Sequence, residues 1–147
     1  MDIRKSMEKK RVANAVELLK KGPGKSDVHF SEHMTGNNLS YLDLIEGLDQ
    51  PTISKLSEIL GVTKSAVTMK IAEFEKKGYV IKRVSEKDKR VKYLELSESM
   101  KAIYKAYEAI DEDIYREIEE KYSVEAVSNF CEILDFISDK IIESVED

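Results

Sequence analysis

The chain has 147 residues, 41% of them hydrophobic and 36% charged, with a net charge of −5 at neutral pH. That length suits one domain with a substantial core, or one protomer that completes its core by pairing. No apolar run approaches the roughly 20 residues of a membrane span, and a single cysteine rules out an internal disulfide framework. A cytoplasmic location is therefore expected.

Ile3, Met7, Val12, Ala15, Val16, Leu18 and Leu19 recur among basic residues and predict one helix over 3–21. Gly22, Pro23 and Gly24 end it, because proline removes a donor and the glycines release the backbone. Residues 25–38 have no clear period and contain turn-formers, so a partly ordered connection is expected. Leu39, Leu42, Ile45 and Leu48 then fall on one stripe, a short helix that would pack behind the segment that follows. His29 and His33 lie in the connection, four residues apart. On a helix they would share a face and could hold a metal with Asp27 or Glu32. The segment lacks helical periodicity and has no cysteine nearby, so solvated histidines are expected, with no metal and no cofactor.

From Pro51 to Ser97 the pattern is denser. Ile53, Leu56, Ile59 and Leu60 make one face of a short helix with Thr52 placed to cap it and Gly61 to end it. Thr63 is the next cap, and Ala66, Val67, Ile71 and Phe74 continue at helical spacing until Gly78. The second helix, Lys64 to Lys77, should bury Val67, Ile71 and Phe74 and offer Ser65, Thr68, Met69 and Lys70 on its other face. After Gly78 the period changes. Tyr79–Val84 and Val91–Leu96 read as two strands, joined by the polar run Ser85-Glu-Lys-Asp-Lys-Arg90, which gives a hairpin with a charged tip.

The charge is unevenly divided. Residues 1–49 are neutral, residues 50–97 hold 11 basic against 6 acidic residues, and residues 98–147 hold 5 against 15. An acidic whole does not exclude a polyanionic partner, because association follows the local field over about a Debye length, on the order of 10 Å. The cationic third is the helix pair with its hairpin.

Beyond Ser97 and Glu98, which make a helix start, the stripe Ile103, Tyr107, Ile110, Ile114 and Ile118 marks a long helix. An interruption is expected at Tyr122-Ser123. Val127, Phe130, Leu134, Ile137 and Ile141 follow at steps of 3, 4, 3 and 4, close to coiled-coil spacing. Ile133, Phe136, Ile142 and Val145 widen that seam beyond what one helical partner would cover. A second copy of the chain is the expected cover, the alternative being a two-helix packing within one chain. Catalysis has little to work with, since no serine lies in a nucleophile-elbow or phosphate-loop pattern, and no enzyme is expected.

The run from Pro51 to Ser97 resembles the MarR family of bacterial and archaeal transcription regulators, in which a helix-turn-helix is followed by a glycine, a strand, and a wing carrying Asp-x-Arg before a strand ending Leu-Ser or Leu-Thr. Here those positions are Gly78, Asp88-Lys89-Arg90 and Leu96-Ser97. The similarity extends to the flanking helices. It implies a mainly α fold with a β-hairpin wing: residues 1–38 as N-terminal dimerisation helix and connection, 39–97 as winged helix-turn-helix, and 98–147 as C-terminal dimerisation helices. It further implies a homodimer that binds a pseudo-palindromic operator in double-stranded DNA, as a repressor responding to an amphipathic or phenolic effector. The DNA-binding residues would be Thr63, Lys64, Ser65, Thr68, Met69 and Lys70 on the helix and Lys87, Asp88, Lys89 and Arg90 on the wing. Val127, Phe130, Leu134, Ile137 and Ile141 would form the dimer seam.

Many members carry arginine where Met69 stands and a basic residue where Glu73 stands. Met69 can offer only apolar contact, for instance to a thymine methyl, so base reading is expected to fall to Ser65, Thr68 and Lys70. A winged helix that contacts a protein instead of DNA is the alternative these departures suggest. Tyr104 and Tyr107 are placed either in the core or against an effector. Some relatives sense zinc through histidines on the helix after the wing, and this chain has none there. Others sense peroxides through a cysteine in the first helix. Cys131 lies elsewhere, beside Glu132 and Asp135 instead of the cations that activate a sensor thiol, and is expected to be a core or interface residue.

Overall fold

A computed structural model describes residues 2–20, 29–31 and 34–146, with side chains at 29–31 and 34–36 left aside. The elements in chain order are α1 (Ile3–Lys20), β1 (His29–Ser31), β2 (Met34–Thr35), α2 (Gly36–Gly47), α3 (Ile53–Leu60), α4 (Lys64–Lys76), β3 (Val80–Val84), β4 (Lys92–Leu96), α5 (Glu98–Lys121) and α6 (Val124–Glu146). The predicted helix end at Gly22-Pro23-Gly24 and the site of His33, Asp27 and Glu32 lie outside the described residues. Two expectations need correction. Within 25–38, β1 and β2 pair antiparallel, strands too short to show alternation, and α2 begins at Gly36 instead of Leu39, its first turn being polar residues that carry no apolar stripe, with Asn38 buried.

Leu42, Leu44 and Ile45 of α2, Leu56 and Leu60 of α3, and Val67, Ile71 and Phe74 of α4 form one buried cluster with Val80, Leu94 and Leu96 of the hairpin. Ala15 and Val16 of α1 and Met100 and Tyr104 of α5 close it from the other side, so the terminal helices and the helix-turn-helix share a core. The approach of α1 to α2 is tight at Gly47, where any Cβ would collide with Val12 Cγ2. β3 and β4 are antiparallel, with Val80 opposite Leu96 and Val84 opposite Lys92. The Leu94 N–H donates to the Pro51 carbonyl at 2.7 Å, which ties the start of α3 to the hairpin.

The two long helices separate where expected. Tyr122 is extended at φ −111°, and Ser123 Oγ accepts from the Ala126 N–H at 3.1 Å to cap α6. α6 lies mainly along α1, burying Cys131, Leu134 and Ser138. α5 touches its own chain sparingly and leaves Ile103, Tyr107, Ile110 and Ile114 exposed. Among the described residues no helix is long and apolar enough to cross a membrane.

Candidate nucleic-acid interface

The helix pair is set by its caps. Thr52 Oγ1 accepts from the Lys55 N–H at 3.0 Å and Thr63 Oγ1 from the Ala66 N–H at 3.1 Å, each satisfying a donor that the first helical turn leaves open. Gly61 ends α3 in the left-handed region at φ 65°, a conformation that costs glycine little. The Ser57 hydroxyl donates to the Val62 carbonyl at 2.6 Å and closes the turn. These bonds fix the angle at which α4 is presented, with Val67, Ile71 and Phe74 fully buried beneath it.

On the outer face Lys64, Ser65, Thr68 and Met69 are exposed, Met69 at 75%. The Thr68 hydroxyl donates back to the Lys64 carbonyl at 2.8 Å. Lys70 departs from the expectation that it faces outward. Its Nζ lies 2.9 Å from Asn38 Oδ1 and 3.3 Å from Glu73 Oε2, over the rings of Tyr41 and Phe74. The ammonium is thus turned toward α2, where two ring faces and two acceptors stabilise it. Glu73 also receives Lys77 Nζ at 2.9 Å. The Lys77 hydrogen bond, aided by Lys70, holds the Glu73 carboxyl below its ordinary pKa, so the acid that stands where many MarR members carry a base is neutralised by its own helix.

The hairpin tip is built from two acceptors. Buried Ser85 Oγ accepts from the N–H groups of Lys87 and Asp88 at 3.2 and 3.3 Å, a role the sequence reading missed by treating Ser85 as part of a solvated run. Asp88 then receives Arg90 through three bonds: the backbone N–H and Nε to Oδ1 at 3.0 and 3.1 Å, and a terminal nitrogen to Oδ2 at 3.1 Å. The Arg90 bond holds the Asp88 carboxyl below its usual range. The guanidinium is fixed along one edge while the Arg90 side chain stays 90% exposed. Lys87 and Lys89 are exposed beside it. Lower on the strands the cations are spent internally, Lys82 on Glu75 and Arg83 on Glu95, which also takes Lys101.

The MarR family model matches residues 34–92, the segment from β2 to the start of β4. The chain is similar to that family over this segment, which holds the helix-turn-helix and the wing. FabT of Streptococcus pneumoniae, solved in complex with DNA, is 21% identical with a TM-score of 0.54, covering 88% of this chain and 89% of that one. A MarR-like transcriptional regulator from Thermotoga maritima is 22% identical with a TM-score of 0.54, covering 83% and 86%. At these identities the likeness is one of fold, and it takes in the MarR winged helix together with the terminal helices. No curated protein matches the chain.

Of the residues expected at the MarR dimer seam, Phe130 and Ile137 are exposed, Val127 and Ile141 are half-buried, and Leu134 is buried. Leu134 needs correction. It shares a face with Cys131 and Ser138 that meets α1 of the same chain, so the outward apolar surface of α6 is instead Phe130, Ile133, Phe136 and Ile137. Cys131 is fully buried. Tyr104 is a core residue whose hydroxyl donates to Asp43 Oδ1 at 2.6 Å, whereas Tyr107 is exposed.

Proposed function

We propose that this protein is a sequence-specific DNA-binding transcription regulator of the cytoplasm, acting as a homodimer on a pseudo-palindromic operator. In this reading two α4 helices enter successive major grooves about one helical turn apart, and two wings reach the flanking minor grooves or phosphates. The observation that carries it is Arg90: a guanidinium held by Asp88 at the outermost point of a cationic module, with its remaining donors free, is suited to a nucleic-acid backbone. Thr63, Lys64, Ser65, Thr68 and Met69 with Lys87, Lys89 and Arg90 make up the contact surface, and Asp88 positions it. The exposed apolar faces of α5 and α6 support the dimer, with residues 1–38 and 98–147 as the pairing region around the module at 39–97.

Regulation by repression follows from occupancy of the operator. The effector we propose is a small amphipathic or phenolic anion. A cleft of about 340 Å³ between α1 and α5 is lined by Arg4, Met7, Arg11 and Tyr115 together with Glu8, Glu108, Asp111 and Glu112. Arg11 lies with its guanidinium over the Tyr104 ring, so the cleft offers a cation beside aromatic surface to such a molecule. The competing reading, a protein-binding winged helix, loses one of its two supports now that Glu73 is paired.

The deciding experiment is a mobility shift on upstream DNA across a salt series. Binding should weaken steeply with salt, and Arg90→Ala should lower affinity at least tenfold while leaving the melting temperature unchanged, since an exposed side chain adds little to stability. Salt-independent binding, or an Arg90→Ala protein that binds like wild type, would reject the wing assignment.

A further inference from the structure

We propose that Met69 is the specificity-determining side chain of α4 and that it reads the C5-methyl group of thymine, so that each operator half-site carries a thymine opposite the middle of this helix. This rests on the regulator reading above and names what that surface recognises.

Ser65, Met69, Ala72 and Lys76 follow one another at i, i+4, i+7 and i+11, a line opposite the buried Val67, Ile71 and Phe74. Met69 is therefore at the crest of the helix. Its 75% exposure exceeds that of Val62, Ile81 and Val84, the other exposed large apolar side chains of the module. Solvating that surface is unfavourable, and contact with an apolar group in the groove would relieve it. Ala72, one turn on, is too small to hold the helix away from the bases.

Two of the polar side chains beside Met69 are committed elsewhere, which leaves Ser65, exposed one turn before it, as its polar neighbour on the line. The Thr68 hydroxyl proton goes to the Lys64 carbonyl, and the Lys70 ammonium goes to Asn38 and Glu73. Between Lys64 and Lys76 there is no arginine, asparagine or glutamine, and of the residues that read guanine or adenine through paired hydrogen bonds only lysine is present, at the two helix ends and at the inward-turned Lys70. Among the base edges of the major groove, thymine alone presents a methyl group. Exposed Lys64 and Lys76, at the two ends of α4, are placed for phosphates that fix register without reading sequence. The flexible thioether of Met69 adapts to the methyl surface more readily than a branched side chain would.

The test starts from duplexes selected by the wild-type protein from a random library at low salt. Each thymine of the selected half-site is then replaced singly by deoxyuridine, which removes the methyl and nothing else. At one thymine per half-site the wild type should lose about fourfold in affinity, and about fifteenfold when both half-sites are changed, the worth of one buried methyl group at each. Met69→Ala should bind thymine and uracil duplexes equally, and Met69→Leu should keep the discrimination. A wild type that loses less than twofold at every thymine overturns the proposal while leaving DNA binding intact. A uracil penalty that persists in Met69→Ala assigns the methyl to another residue and overturns it too. Failure to enrich any duplex would instead reject the regulator reading, and this inference with it.

Discussion

The exposed apolar surface of α6 gives the proposed dimer a quantitative test. Ile133 and Phe136 are each 61% exposed, and neither is part of the buried cluster, so changing both to glutamate should spare the protomer's own core. Phenylalanine buries on the order of 200 Å², so covering its exposed part would contribute about 3 kcal/mol at 25 cal/mol per Å². The same fraction of an isoleucine contributes about 1.5 kcal/mol. A two-fold interface counts each contact twice, for an upper value of about 9 kcal/mol. Even if a partner covers only half of that area, Ile133→Glu/Phe136→Glu should raise the dimer dissociation constant at least a thousandfold. New carboxylates facing a C-terminal third already rich in acid add to the loss. Sedimentation equilibrium at micromolar concentration reads the result: dimer for wild type, monomer for the variant. Should the separated protomer unfold, the melting temperature of the wild type must rise with concentration, as it does when association and folding are linked. A wild type that is monomeric and folded at micromolar concentration, or a variant with an unchanged dissociation constant, would refute the reasoning.

Three further outcomes follow from the same contacts. Asp88→Ala should weaken DNA binding severalfold although it removes a negative charge, because Arg90 loses its positioning partner; tighter binding by this variant in a mobility shift would reject that role. Lys70→Ala should leave sequence preference intact, with equal losses of no more than about threefold on operator and random DNA, since the ammonium faces Asn38 and Glu73; a selective loss on operator would return Lys70 to base reading. Burial raises the Asp43 pKa, against the Tyr104 hydrogen bond and the Arg11 charge that lower it. The folded state therefore holds this proton more tightly than the unfolded state, a contribution to stability present below about pH 4 and lost as pH rises through the raised value. Asp43→Asn keeps an acceptor for Tyr104 without that titration, so its melting temperature should gain on wild type as pH rises from about 4 to 7, and a constant difference would count against the assignment.

Much of this arrangement was legible because capping and turn chemistry are local. Thr52, Thr63, Gly61 and Gly78 mark the bounds of α3 and α4 in the sequence, and each performs its expected role. The Asp88–Arg90 motif was equally readable, since only Lys89 separates the partners and no distant contact intervenes. Lys70 was not legible in the same way, because helical spacing sets it beside Met69 on the outer face although its side chain turns inward. One position before Ile71 and four before Phe74, it lies on the flank of the buried arc, where a long side chain meets α2 before it meets solvent. Leu134 was misread for a different reason. Spacing identifies an apolar face but not what covers it, and here α1 of the same chain claims one side of α6 while the other stays open. Asn38 and Ser85 escaped notice because a polar residue that becomes buried through hydrogen bonds leaves no periodic signal.

The internal pairs also change how the module's charge should be counted. Residues 50–97 carry 11 basic side chains, yet Lys70 and Lys77 are spent on Glu73, Lys82 on Glu75, Arg83 on Glu95, and Lys55 on the Asp49 carbonyl. The cations left to meet a polyanion are Lys64 and Lys76 on α4, Lys87, Lys89 and Arg90 at the tip, and Lys92 at the start of β4. These fall into two groups, one on α4 and one on the hairpin. Association with DNA should therefore depend on six cations per protomer and not on eleven. Because counterion release scales with phosphates neutralised, removing any of the internally paired lysines should change the salt slope little, whereas removing Arg90 from both protomers of the dimer should lower it by about two.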